Sequence, residues 1–218
     1  MMAVLALIIG GSGSGKSASL HKFDAKSALL IQPNKGKSLP FKSAEWRKKF
    51  NAKNTSGSLF ISDNYITVHK AIDAAIDAGK KSIIIDDSNY YMQNESMRRV
   101  EETGYGKFTV MAKNYIELIN HCSALPDDIT VYFMCHLQED DRGNVTPKTV
   151  GRMIDNQVCL EGLFTIVFRC YERDGKHYFS TKNNGLDCVK TPMGMFENEE
   201  IDNNLAVVDA AIREYEGI

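Results

Sequence analysis

The chain has 218 residues, 43% of them hydrophobic, and a net charge of −2; that length buries a sizeable core without disulfides or metals, which predicts one domain over residues 1–218. The near-neutral charge excludes a protein that coats nucleic acid by bulk charge, so any such contact must come from a local patch. The five cysteines, at 122, 135, 159, 170 and 188, form no C-x-x-C pair and read as buried thiols in a reducing cytoplasm, not as a zinc or disulfide framework.

In chain order, the apolar run 4–9 is predicted as a buried strand; it has no basic flank and leads into glycines without a cleavage site, unlike a signal peptide. No other apolar run approaches bilayer-spanning length, so a soluble protein is expected. Gly10-Gly11-Ser12-Gly13-Ser14-Gly15-Lys16-Ser17 follows at once and completes G-x-x-x-x-G-K-[ST], the pattern of a phosphate-binding loop. Its glycines let successive N–H groups turn toward phosphate oxygens, and a helix expected to start near Lys16 would add its positive dipole end. Lys16 is predicted to reach the β- and γ-phosphates and the Ser17 hydroxyl to join Mg²⁺. A dinucleotide loop fits poorly, because no acid closes a second strand near Ile31 and Lys-Ser has no role there.

Further strands are predicted at 28–32, 59–62, 82–85 and 129–135. Helices are predicted at 69–78, ended by Gly79; at 90–103, ended by Gly104; and at 108–125, ended before Pro126. Runs 164–171 and 176–181 flank Asp174-Gly175, a hairpin signal, and 203–215 reads as a closing helix with Leu205, Val208 and Ile212 inward. This alternation predicts an α/β fold of the P-loop NTPase class, a mostly parallel sheet flanked by helices and extended by an antiparallel hairpin near the C-terminus.

The run Ser82-Ile83-Ile84-Ile85-Asp86-Asp87 is a strand ending in carboxylates. Asp86 is the candidate to hold Mg²⁺ beside the loop, and Asp87 either orients or deprotonates the attacking water or caps the next helix. The strand 129–135 ends in His136. In ATPases that insert a strand between the two nucleotide motifs, a polar residue at that tip senses the γ-phosphate; the alternative is an ordinary surface histidine. A kinase lid rich in arginine is not evident, since Arg98-Arg99 is the sole arginine pair in the sequence.

Between residues 35 and 53, cations including Lys42, Arg47, Lys48 and Lys49 interleave with Phe41, Trp46 and Phe50. That composition suits single-stranded nucleic acid, and it equally suits an amphipathic helix whose rings dock on the domain. The regions 138–152 and 182–196 carry Arg142, Lys148, Arg152, Lys182 and Lys190. Both are expected on the nucleotide side, where they would reach a neighbouring subunit's γ-phosphate or remain solvating charges.

GGSGSGKS at 10–17, SLPFK at 38–42, SIIIDDSNYYM at 82–92, the strand ending in His136, KTVGRMID at 148–155, LEGLFTIVFR at 160–169 and NNGLDCVKTPMGMFE at 183–197 together resemble the phage-encoded AAA-type ATP-binding proteins with a bare RecA-like core, related to the ATP-dependent single-strand-annealing recombinases of phages. The resemblance spans nearly the whole chain. It implies a RecA-like fold, ATP and Mg²⁺ as cofactors, slow DNA-stimulated ATP hydrolysis, and work in a host cell's cytoplasm during recombination or replication. The partners it implies are single-stranded DNA, further copies of the chain and a single-strand-binding protein. In one respect the chain departs: RecA-type enzymes place a catalytic Glu just after the strand that follows the loop, whereas Ile31-Gln32-Pro33-Asn34 carries no acid. Hydrolysis is then slow, or uses Asp87, or is absent. Two other readings stay open, a P-loop kinase of a nucleoside or small metabolite, which would favour the Asp86 strand directly beside strand 4–9, and a nucleotide-gated loader or switch without turnover.

Overall fold

The computed structural model describes residues 2–150 and 158–218. Among these residues nine strands form one mixed sheet: β1 (Val4–Gly10), β2 (Ala28–Gln32), β3 (Leu59–Ile61), β4 (Ser82–Ile85), β5 (Thr130–Glu139), β6 (Val145–Pro147), β7 (Ile166–Arg173), β8 (Lys176–Ser180) and β9 (Glu200–Asp202). Their order is β3-β2-β4-β5-β1-β7-β8-β9, with β6 on β5. Pairing is parallel from β3 to β7 and antiparallel for β8, β9 and β6.

Among the described residues the α-helices are α1 (Tyr65–Asp77), α2 (Tyr90–Arg98), α3 (Gly106–Ser123) and α4 (Leu205–Glu216). Alternation along β1 divides the core. Leu7 and Ile9 face a cluster with Ile72, Met111, Tyr115 and Leu118, whereas Ala6 and Ile8 face Leu20, Trp46, Val208 and Ile212. Helices on both faces explain why β2 and β4 read as unbroken apolar runs, since neither side of those strands meets water. The hairpin forms where Asp174-Gly175 signals it, both residues being left-handed at φ +53° and +74°.

Four expectations are corrected. The glycine-rich loop after β1 leads into a six-residue 3-10 helix, Ser17–Lys22, where a helix contributing a dipole end was expected to start near Lys16; Ser19 Oγ donates to Lys16 O (2.6 Å), and Leu20 and Phe23 tuck into the core, so the turn ends early. The helix predicted over 90–103 stops at Arg98, because the Arg99 guanidinium binds both Glu95 and Glu102, and Lys107 takes the freed carbonyls of Arg99 and Glu102. The stretch 35–53 is irregular apart from a 3-10 turn at Glu45–Arg47. Strand β5 runs on past His136, since Leu137, Gln138 and Glu139 pair with β6.

Among the described residues no helix is long and apolar enough to cross a membrane.

Candidate functional site

Because β1, β2, β4 and β5 are parallel, their C-terminal ends open on one edge of the sheet, where ligands of open α/β sheets bind. Register decides what meets there: Gly10 lies beside His136 of β5 on one side and Cys170 of β7 on the other. Ile85 of β4 pairs with Phe133, which brings Asp86 and Asp87 to the same edge.

The loop after β1 requires glycine at particular points. Gly13 and Gly15 are left-handed, at φ +78° and +103°, a region that costs residues with a Cβ. A Cβ on Gly15 would also lie 2.6 Å from His177 Cγ, and one on Gly10 would lie 2.7 Å from Cys170 O. Cys170 Sγ donates to Ser14 O (3.0 Å) and ties the loop to β7.

Lys16 is buried within its own loop, Nζ donating to Gly10 O (2.7 Å) and Gly11 O (2.8 Å). Burial lowers its pKa, and the charges of Asp87 and Asp86 oppose that shift. Ser17 Oγ donates to Asp86 Oδ1 (2.9 Å), and Gln32 Nε2 reaches Asp86 Oδ2 (3.3 Å). The two carboxylates differ in environment. Asp86 is fully buried, and desolvation together with the Asp87 charge pushes its pKa up. Burial pushes Asp87 the same way, but His136 and Lys37 outweigh it and hold the group down at about 2.

Asp87 is also strained. It is left-handed at φ +52°, a few-per-cent conformation for a non-glycine residue. Its side chain does not cap α2; Oδ2 accepts from Lys37 Nζ, and Oδ1 lies 3.4 Å from His136 Nε2. That last approach is too poorly aligned for a hydrogen bond, so Oδ1 is buried without a hydrogen-bond partner among the described residues. The His136 ring meets Tyr90 edge-on at 6.1 Å, and Asn89 Oδ1 accepts its backbone N–H.

These groups line a cavity of about 720 Å³, bounded by the loop, the segment after β2, Asp87, Tyr90, His136 and His177, within the size range of small-ligand sites. The structure thus brings together Gly10, Gly11, Ser12, Gly13, Ser14, Gly15, Lys16, Ser17, Asp86, Asp87 and His136. The donor set fits Mg²⁺: a hydroxyl and a carboxylate, both hard oxygens, stand 2.9 Å apart beside the cavity.

Residues at the site that were not predicted from the sequence include Lys37 and His177. Lys37 bonds to Asp87, lies 3.9 Å from Asp86 Oδ2, and has a pKa that those carboxylates raise against its burial. His177 of β8 closes the cavity against Gly15, its Nδ1 buried without a hydrogen-bond partner among the described residues. Neither sits in a motif; both arrive by tertiary packing, and the only local hint was the position of Lys37 just after β2.

The expected DNA and trans contacts lie elsewhere. Lys42, Arg47, Lys48 and Lys49 are exposed outside the cavity, while Trp46 and Phe50 are buried, so the rings dock and the cations face out. Lys148, Lys182 and Lys190 are exposed and do not line the cavity. The expectation that 182–196 follows a strand aimed at the nucleotide side is corrected: β8 is antiparallel, and Lys190 returns to pair with Val167 in the body of the sheet. Arg152 lies outside the described residues.

No protein-family model matches the chain, and no curated protein matches it.

Proposed function

We propose that the chain binds ATP with Mg²⁺ in this cavity and hydrolyses it slowly, as a RecA-like P-loop ATPase coupled to single-stranded DNA in phage recombination or replication. The observation that carries the reading is the Ser17–Asp86 hydrogen bond, which joins the loop after β1 to the carboxylate after β4. Between those strands lies β5, so the two nucleotide motifs are not on neighbouring strands. That order favours an ATPase with an inserted strand over the metabolite kinase.

In this reading the Lys16 ammonium exchanges the carbonyls of Gly10 and Gly11 for phosphate oxygens, and the loop amides hold the remaining oxygens. Ser17 and Asp86 would hold the metal, which when bound neutralises phosphate charge and polarises the γ-phosphoryl group. His136 stands on the inserted strand, in contact with Asp87, and would report the γ-phosphate to the segment that follows β5. Lys42, Arg47, Lys48 and Lys49 supply an outward basic face for DNA phosphates; because Trp46 and Phe50 are buried, those two rings take no part in stacking on DNA bases. Further copies of the chain and a single-strand-binding protein remain the proposed partners.

A second reading, a nucleotide-gated switch without turnover, is favoured by one observation. Asp87, the carboxylate that lines the cavity, is held at about 2 and paired with Lys37, which makes it a weak base at neutral pH. Gln32 and Asn34 add no acid; Gln32 binds Asp86, and Asn34 accepts from Asn94. The test is ATP turnover, with and without single-stranded DNA, for wild type and Lys16→Ala. Turnover in wild type alone, raised by DNA, supports the ATPase; tight ATP binding with no turnover selects the switch; equal, negligible rates without ATP binding overturn both.

A further inference from the structure

Ala18 and His177 line the phosphate cavity and also a second cavity of about 480 Å³, bordered by Lys22, Phe41, Lys176 and Asp202. We propose that the second cavity holds the nucleoside of the bound triphosphate, a 6-aminopurine base lying against Phe41 with its exocyclic amine donating to the Asp202 carboxylate. The inference rests on the triphosphate reading above and adds where the base goes and which bases are accepted.

Strand order sets the direction. Asp86 and Asp87 directly follow β4 and His136 belongs to β5, on one side of β1, and His177 belongs to β8, on the other. A triphosphate lying across the loop with its γ end at the carboxylates therefore points its sugar and base toward β8, where the second cavity lies. Buried His177 Nδ1 stands at the junction beside Gly15 without a hydrogen-bond partner among the described residues. His177 thus stands where the two cavities meet.

The lining suits a nucleoside. Phe41 is partly buried, its ring packed on the core beneath while bordering the cavity, the arrangement of a stacking platform. Asp202 is exposed, and its carboxylate makes no hydrogen bond or ion pair among the described residues. An ionised carboxylate only accepts, so it welcomes the amine of adenine and repels a carbonyl oxygen at the same ring position. Lys22 and Lys176 border the same space and supply positive charge for the phosphate nearest the sugar.

Calorimetric titration of wild type, Phe41→Ala and Asp202→Asn with the Mg²⁺ complexes of ATP, ITP and inorganic tripolyphosphate tests this. Wild type is expected to bind ATP at least about tenfold more tightly than ITP or tripolyphosphate. Phe41→Ala should lose about tenfold for ATP while keeping the wild-type affinity for tripolyphosphate, which also reports an intact fold. Asp202→Asn should level ATP and ITP, because its amide can donate to the inosine oxygen. Equal affinity of wild type for ATP and tripolyphosphate, or ATP affinity and preference unchanged in both variants, overturns the inference and leaves triphosphate binding standing. Failure of wild type to bind any of the three overturns both.

Discussion

The two ends of the sheet treat their carboxylates in opposite ways. At the N-terminal edge, Asp209 of α4 accepts from Thr130 Oγ1 (2.7 Å), Tyr132 OH (2.6 Å) and Arg213 Nε (2.8 Å). Arg213 spends its other N–H groups on Asp128 O, Lys81 O and Thr130 Oγ1. This network pins α4 across the starts of β4 and β5. At the C-terminal edge Asp86 is buried with its pKa raised, and Asp87 keeps one oxygen unbonded on a left-handed backbone. A satisfied carboxylate fixes the fold; an unsatisfied one marks where the protein expects something from outside.

The largest expected effect breaks the structural end. Asp209→Ala leaves a partly buried guanidinium without its carboxylate and should destabilise the protein by about 3 kcal/mol, read from denaturant melts, with ATP affinity unchanged. Gly15→Ala should follow at about 2 kcal/mol, from its positive φ and its collision with His177, and should also weaken ATP binding. Gly175→Ala, left-handed but with open space around it, should cost about 1 kcal/mol and spare binding; equal binding losses in the two variants would contradict the assignment of the loop.

The functional end should respond with the opposite sign. Asp86→Asn removes a charge that burial disfavours, so it should raise stability by about 1 kcal/mol at neutral pH while weakening Mg²⁺-dependent nucleotide binding. Melting that falls with this variant would place Asp86 with Asp209 as a structural carboxylate.

The smallest effect is a pH dependence. Folding lowers the Asp87 pKa from 3.8 to about 2, so its ionised form stabilises the fold fully above 3.8, and that contribution is lost as pH falls toward 2. Wild type should therefore melt above Asp87→Asn at pH 5, with the gap closing by about pH 2. A gap that widens on acidification would reverse the assigned shift. Asp86 acts in the other direction, its raised pKa making the fold less stable as pH rises above 3.8.

What could be read from the sequence divides along the same line between local and assembled features. Strands β2 and β4 match their predicted bounds because an apolar run, 28–31 in one and 83–85 in the other, fills all but one residue of each. That Lys16, Ser17 and Asp86 would meet at one edge of the sheet was legible from the glycine-rich loop and the strand ending in carboxylates, and the turn at Asp174-Gly175 was legible because a two-residue turn needs left-handed residues. The short 3-10 turn after the loop was not legible, since the burial of Leu20 and Phe23 decides it. Lys37 and His177 were missed for a related reason: each reaches the cavity through the path of the chain after β2 or the antiparallel direction of β8, neither of which has a local signature. The stretch 35–53 had rings and cations at helix-like spacing, yet packing of Leu39, Trp46 and Phe50 replaced the helix with irregular chain.

The central claim is that the loop at 10–17 and Asp86 hold a Mg²⁺-bound triphosphate. Its most direct test is the affinity of wild type and Lys16→Ala for a non-hydrolysable ATP analogue, with Mg²⁺ and with the metal chelated. Binding to wild type should weaken on the order of 100-fold in the variant, and weaken again without Mg²⁺. Wild-type affinity retained in Lys16→Ala and indifferent to Mg²⁺ would contradict it.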